Sequence, residues 1–123
     1  MRHLSSAAMS ALIYKICPEA AWREAERAGR FNGSSVDLAD GFIHFSAAGQ
    51  VRETAARHFS GTDALLLVGV DPAALGDALR WEPSRDGALF PHLYAPLSLS
   101  AVRKVENLPL GADGRHSFPA DIP

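Results

Sequence analysis

The chain has 123 residues, is 47% apolar and 21% charged, and carries a formal net charge of −2. That length suits one compact domain. The near-neutral balance leaves no strong nucleic-acid footprint, which would show as a basic stripe or a high pI. No run approaches the roughly 20 apolar residues that span a bilayer, so no membrane partner is expected. The single cysteine, Cys17, excludes an internal disulfide and fits a reducing cytoplasm.

In chain order, residues 1–10 read as a loosely ordered N-terminal extension. The opening "MRHLSSAAMS" has no continuous apolar core of the kind a signal peptide needs, and Met9 is a candidate natural initiator. "ALIYKIC" (Ala11 to Cys17) is β-branched and apolar and reads as a first strand. Pro18 at the first helical position and Glu19 beside it open a helix, "PEAAWREAERAG", with Gly29 as its stop. Its apolar stripe is Ala21, Trp22, Ala25 and Ala28.

"RFNGSSVDLAD" is turn-rich and reads as a loop with a short turn at Val36 to Ala39. "GFIHF" is a second strand. Ser46 is placed to cap a second helix, "AAGQVRETAARHF", whose inner face is Val51, Ala55 and Phe59. "ALLLVGV" (Ala64 to Val70) is a continuous apolar run, the pattern of a buried central strand. Asp71-Pro72 starts a helical turn to Leu75. "ALRWE" (Ala78 to Glu82) is a fourth strand. Pro91 and Pro96 make "HLYAPL" extended and place it at a sheet edge. "AVRKVENL" (Ala101 to Leu108) is the fifth strand. Residues 11–108 thus form a single α+β domain, and 109–123 an irregular tail. Helices and strands mix without regular βαβ alternation.

Three motifs carry the chemistry: "IYKI", "GFIHFS" and "FPHLYAPL". Strand alternation puts Phe42, His44 and Ser46 on one face and Ile43 and Phe45 on the other. His44 has two readings. In one it is buried and bonded to a backbone carbonyl and the Ser46 hydroxyl. In the other His44 and Ser46 line a cleft beside a helix start. Lys15 interrupts an apolar strand, and an unpaired buried ammonium is very costly. It is therefore paired, snorkelling to water, or facing a cleft. Phe90, His92 and Tyr94 share a face, which is either a stacking surface for a flat ring or satellite core. His58, near a helix end, reads as a cation against the helix dipole.

Sharper signatures are absent: no G-x-S-x-G, H-E-x-x-H, P-loop or G-x-G-x-x-G occurs. No metal is expected, because no spacing rule recruits Asp40 or Cys17 to His44 and His92. A triad of Ser46, His92 and an aspartate can be written but has no spacing signature. No feature specifies an oligomeric state.

At "DGFIHFSAAGQV", "LRWEP" and "LFPHLYAPL" the chain resembles a small bacterial family, the domain of unknown function 952, over about Leu12 to Leu108. That family is in turn similar to the ADP-ribosyltransferase superfamily. The resemblance implies a compact, bent and split β-sheet flanked by helices, with NAD in its cleft. It puts Lys15 where the superfamily has a ribose-contacting His or Arg. It puts His44 at the position of an aromatic that stacks on nicotinamide, and Ser46 at a small hydroxyl position. Glu82 is the nearest candidate for the third-motif catalytic Glu.

The expectation is therefore a His-lined cleft that binds NAD or a related nucleotide and catalyses ADP-ribosyl transfer or NAD glycohydrolysis. His44, His92 and Glu82 would be its catalytic groups, and Lys15, Ser46, Phe90 and Tyr94 its binding groups. Two alternatives stand beside it. One is a non-enzymatic small-ligand or interaction domain on the same fold. The other is a His-based phosphotransferase or hydrolase acting on a nucleotide or RNA end.

Overall fold

The structure is a computed structural model and describes residues 12–122; the expected N-terminal extension, residues 1–10, lies outside them. The architecture is α+β. Strand β1 (Ile13–Pro18) leads directly into helix α1 (Glu19–Ala28). Next come β2 (Arg30–Phe31), α2 (Ser35–Asp40), β3 (Ile43–His44), β4 (Ser46–Ala47) and α3 (Val51–His58). Then follow β5 (Leu65–Val70), a 3-10 segment (Pro72–Ala78) and β6 (Leu79–Pro83). A 3-10 turn (Arg85–Gly87) joins β6 to β7 (Leu89–Leu93). Last are β8 (Leu97–Ser98), a 3-10 turn (Leu99–Ala101) and β9 (Val102–Leu108).

The strands form a four-stranded antiparallel sheet, β4-β1-β5-β9, a pair β2-β8, and a three-stranded antiparallel sheet, β3-β7-β6. Every residue of β5 is buried, as its unbroken apolar run demands. Both faces of the large sheet are covered, and the alternation of side chains divides them. Ile13, Cys17, Leu66, Val68 and Val70 pack with Trp22 and Ala25 of α1 and with Phe31, Ile43, Phe45 and Leu93. Tyr14, Ile16, Leu65 and Leu67 pack with Val51 and Ala55 of α3. Ile122 and Phe118 of the C-terminal tail join this second cluster.

"GFIHFS" is not one strand. Ile43 and His44 pair with Leu93 and His92 of the three-stranded sheet. Ser46 and Ala47 pair with Tyr14 and Ile13 of the four-stranded sheet. Phe45 is the crossing point, and its N–H donates to the Pro91 carbonyl at 3.0 Å. Ser46 consequently does not cap a helix. Its backbone is spent on strand pairing, and α3 starts only at Val51. The Gln50 side chain accepts from Ala47 N (2.9 Å) and donates to Leu89 O (2.8 Å), which ties the helix entry to β7.

"FPHLYAPL" is also corrected. Its first part is β7, the middle strand of its sheet, not an edge. The ladder explains how Pro91 is tolerated there. The β6–β7 hairpin is bonded at Tyr94 N to Ala78 O (2.8 Å) and at Ser84 N to Ala88 O (2.9 Å). Pro91 is an odd number of residues from both, opposite Trp81, so β6 does not ask for its missing N–H. On the other side only its carbonyl is used.

Candidate functional site

The expected loop at 30–40 contains a true helix, and that helix supplies the centre of the site. Ser34 accepts a hydrogen bond from the backbone of Asp37, while the Asp37 carboxylate accepts from Ser34 N at 2.8 Å. This reciprocal pair is a capping box, here with Asp as the acid. Gly33 precedes it at φ +122°, and a side chain there would strike the Asp37 Cβ at 2.9 Å.

The capping box leaves Asp37 inside the protein, 2% exposed. Its carboxylate takes the Lys15 ammonium at 2.8 and 2.9 Å, His44 N at 3.1 Å and His44 Nδ1 at 2.6 Å. With Ser34 N, all of its roughly four acceptor sites are used. Burial alone would raise this carboxyl. The His44 hydrogen bond and the Lys15 charge outweigh burial and hold it well below the usual carboxylate range. Lys15 is thus paired, not snorkelling. Sequence reasoning missed Asp37. Two signals pointed to it: Ser34-x-x-Asp37 spacing, and a strand lysine that needed a carboxylate.

The His44 ring is 34% exposed. Its Nε2 lies 2.9 Å from Asp40 Oδ2, so a carboxylate faces each nitrogen. The reading that bonds it to a carbonyl and to Ser46 is overturned. Ser46 Oγ instead meets Thr54 Oγ1 at 2.9 Å.

Across the sheet, register sets His44 opposite His92, and their ring centroids are 5.7 Å apart. Phe42 touches both, stacked on His92 and tilted against His44. It lies 4.1 Å from His92 at 28° and 4.5 Å from His44 at 46°. It also touches Tyr94 at 5.3 Å. Phe42 was legible as a neighbour of His44 by alternation, but its place between the histidines depends on the β3–β7 pairing.

His92 is 5% exposed. Its Nδ1 lies 2.7 Å from Glu82 Oε1, and the Tyr94 hydroxyl donates to the same oxygen at 2.8 Å. Those two bonds, the His92 one first, hold the Glu82 carboxyl below its ordinary value, and the bond to Glu82 raises the Tyr94 phenol. In the neutral ring with Nδ1 donating to Glu82, Nε2 carries the acceptor lone pair. Among the described residues Nε2 has no hydrogen-bond partner.

A cleft of about 550 Å³ collects Lys15, His44, Ser46, Phe90 and His92 along its lining, with Asp37, Asp40, Thr54, His58 and Arg85. Glu82 and Tyr94 lie behind His92, outside that lining. The proposed stacking faces are partly taken by the chain itself. Phe42 covers His92, and the Arg85 guanidinium covers Phe90 at 4.8 Å. Cys17 is buried and its thiol is pushed up to about 11, by burial first, which makes it a poor nucleophile. Among the described residues no three His, Cys, Asp or Glu side chains are grouped to hold a metal ion. No helix among them is long and apolar enough to cross a membrane.

The family model described as "Protein of unknown function (DUF952)" matches residues 16–105. Three solved structures are similar, all of protein CC0527 from Caulobacter crescentus. Its crystal structure is 54% identical, with a TM-score of 0.83, and the match covers 86% of this chain and 93% of that one. A double-mutant crystal form is 52% identical at the same TM-score and coverage. The solution NMR structure is 55% identical with a TM-score of 0.76, covering 85% and 90%. No curated protein matches.

Proposed function

Because the chain belongs to the domain of unknown function 952 family, whose description names no activity, we propose a function from the cleft itself: it binds NAD or a related nucleotide, and His92 transfers a proton there. The single observation that carries this reading is the paired histidine wall. His44 and His92 stand 5.7 Å apart, both against Phe42, and among the described residues His92 Nε2 has no hydrogen-bond partner. The lining fits such a ligand. A volume of about 550 Å³ is in the range of small-molecule sites. The imidazoles of the lining can hydrogen-bond a base, and the Ser46 hydroxyl and the Arg85 guanidinium beyond them suit a sugar and phosphates.

NAD, when bound, would supply the glycosidic bond that ADP-ribosyl transfer or glycohydrolysis cleaves. The chain's contribution is positional and electrostatic. Glu82 and Tyr94 fix the His92 ring, and Nε2 of this lining residue is assigned the proton of an attacking water or hydroxyl. His44, held between two carboxylates, forms the side wall. Lys15 holds Asp37 in place instead of contacting ribose. Glu82 acts through His92 and is a positioning residue. That last assignment favours a second reading, His-based hydrolysis or phosphotransfer on a nucleotide or RNA end, because such chemistry needs a base and no cleft-facing glutamate.

Titration with NAD, followed by amide shifts, tests binding. The expected result is saturable shifts at His44, Ser46 and His92. No shift at millimolar NAD overturns the NAD reading. In a turnover screen with NAD and phosphorylated nucleotides, His92→Ala should lower kcat by about 10²- to 10⁴-fold, the usual worth of a general base. Unchanged kcat overturns the role of His92. A blank screen with ligand capture lost in His92→Ala would mark a binding domain.

A further inference from the structure

One charge in the cleft belongs to neither histidine–carboxylate pair. Arg85 sits on the turn between β6 and β7. Its guanidinium is fixed by two contacts: it lies over the Phe90 ring at 4.8 Å, and Nη2 donates to Thr54 Oγ1 at 3.3 Å. The neighbouring carboxylate, Asp86, turns instead to Arg57 at 3.6 Å. Among the described residues no carboxylate pairs with Arg85. The contrast with Lys15, whose charge Asp37 neutralises, is direct. Arg85 is the guanidinium of the cleft lining, and its charge is left for something else.

Of the two hydroxyls beside it, Thr54 holds the guanidinium and Ser46 is a donor in waiting. Thr54 donates to the Gln50 carbonyl at 3.1 Å and so accepts from Arg85. Ser46 Oγ is 2.9 Å from Thr54 Oγ1, and its proton is free to turn from Thr54 to an anion. A guanidinium offers five N–H groups in a planar fork, of which Thr54 uses one. A planar carboxylate would fill the fork alone. A tetrahedral phosphoryl group has further oxygens for Ser46 as well.

We infer that Arg85 and Ser46, with Thr54 holding the guanidinium in place, form a phosphoryl-binding subsite at the Phe90 end of the cleft. The inference rests on the nucleotide reading for the rest of the ligand. It also sets the ligand's direction. Phe90, under Arg85, is two residues before His92 on β7, a step of about 7 Å at the usual strand rise. That is the scale of the sugar between a base and its phosphate. The base end therefore faces His44 and His92, and the phosphate end faces Arg85.

The test compares wild type and Arg85→Gln by amide-shift titration with inorganic pyrophosphate, ADP-ribose and nicotinamide riboside, which has no phosphate. Arg85 lies on a surface turn, and an unchanged amide spectrum of the free variant checks that it folds. The expected result is that pyrophosphate moves the Arg85, Ser46 and Thr54 amides in wild type and not in the variant. ADP-ribose affinity should fall about tenfold or more on losing the charge-assisted fork, with nicotinamide riboside unaffected. Arg85→Lys, which keeps the charge and loses the fork, should fall between. Equal ADP-ribose affinity in both proteins, or an equal loss for the phosphate-free ligand, overturns the subsite. If pyrophosphate binds at Arg85 and no nucleotide binds, the subsite stands and the nucleotide reading falls. If ADP-ribose binds and pyrophosphate moves no amide, the subsite falls and the nucleotide reading stands.

Discussion

Two histidine–carboxylate pairs face each other across the β3–β7 ladder, and they are built for different work. In the first, Asp37 is fully buried and every acceptor site is taken by Lys15, His44 and Ser34. In the second, Glu82 is partly exposed and, among the described residues, accepts from His92 and Tyr94 alone. The first pair has its carboxylate inside and its imidazole partly outside, with a second carboxylate, Asp40, on the far nitrogen. The second reverses this: the imidazole is inside and one nitrogen is left open. The saturated pair can hold a fold together. The open one can move a proton. Residue type alone does not separate these roles; the number of partners does.

The comparison breaks first on stability. Asp37→Ala strands the Lys15 ammonium in the interior and should cost about 3–5 kcal/mol, measured by urea unfolding. Replacing the pair together, Lys15→Met with Asp37→Leu, should recover most of that loss, because an apolar pair of similar volume has no desolvation penalty. A double variant as unstable as Asp37→Ala would show that the ion pair itself is needed. Glu82→Gln should lower the unfolding midpoint far less, because this carboxylate is partly exposed.

Acid sharpens the same contrast. The folded Asp37 carboxyl titrates below its unfolded value of about 3.9. Its stabilisation is therefore complete above that value and is lost as pH falls from about 5 through the folded pKa. Wild type should lose stability over this range with a steeper slope than the Lys15→Met, Asp37→Leu variant. Equal slopes would remove Asp37 as the acid-labile group. The smallest expected effect is kinetic. In whichever assay reports turnover, Glu82→Gln should lower kcat with KM unchanged, by less than His92→Ala, and Tyr94→Phe by less again. A change in KM alone would make Glu82 a binding group.

Much of this was readable before any coordinates. β1, β5 and β9 are strongly patterned, and their apolar alternation or continuous runs need no partner to be recognised. Asp71 does cap the segment that Pro72 begins, accepting from Ala73 N at 3.0 Å. The histidine wall was legible in part, since alternation put Phe42 with His44 and Phe90 with His92 and Tyr94. The loop assigned to 30–40 was misread because a six-residue helix shows less than two turns of periodicity. Its one clear mark was Ser34-x-x-Asp37. Ser46 was misread because its local signal, a hydroxyl before an Ala-rich stretch, fits a cap; pairing with Tyr14 outweighed it.

The sequence by itself determined the α+β class, the principal strands and the residue types that could do chemistry, because these follow from local pattern and composition. Only the tertiary structure decided the partners. It paired Asp37 with Lys15 and Glu82 with His92, and among the described residues it left Arg85 without a carboxylate. Those choices depend on strand register and on which groups burial leaves without water, and both are set by contacts between residues far apart in the chain.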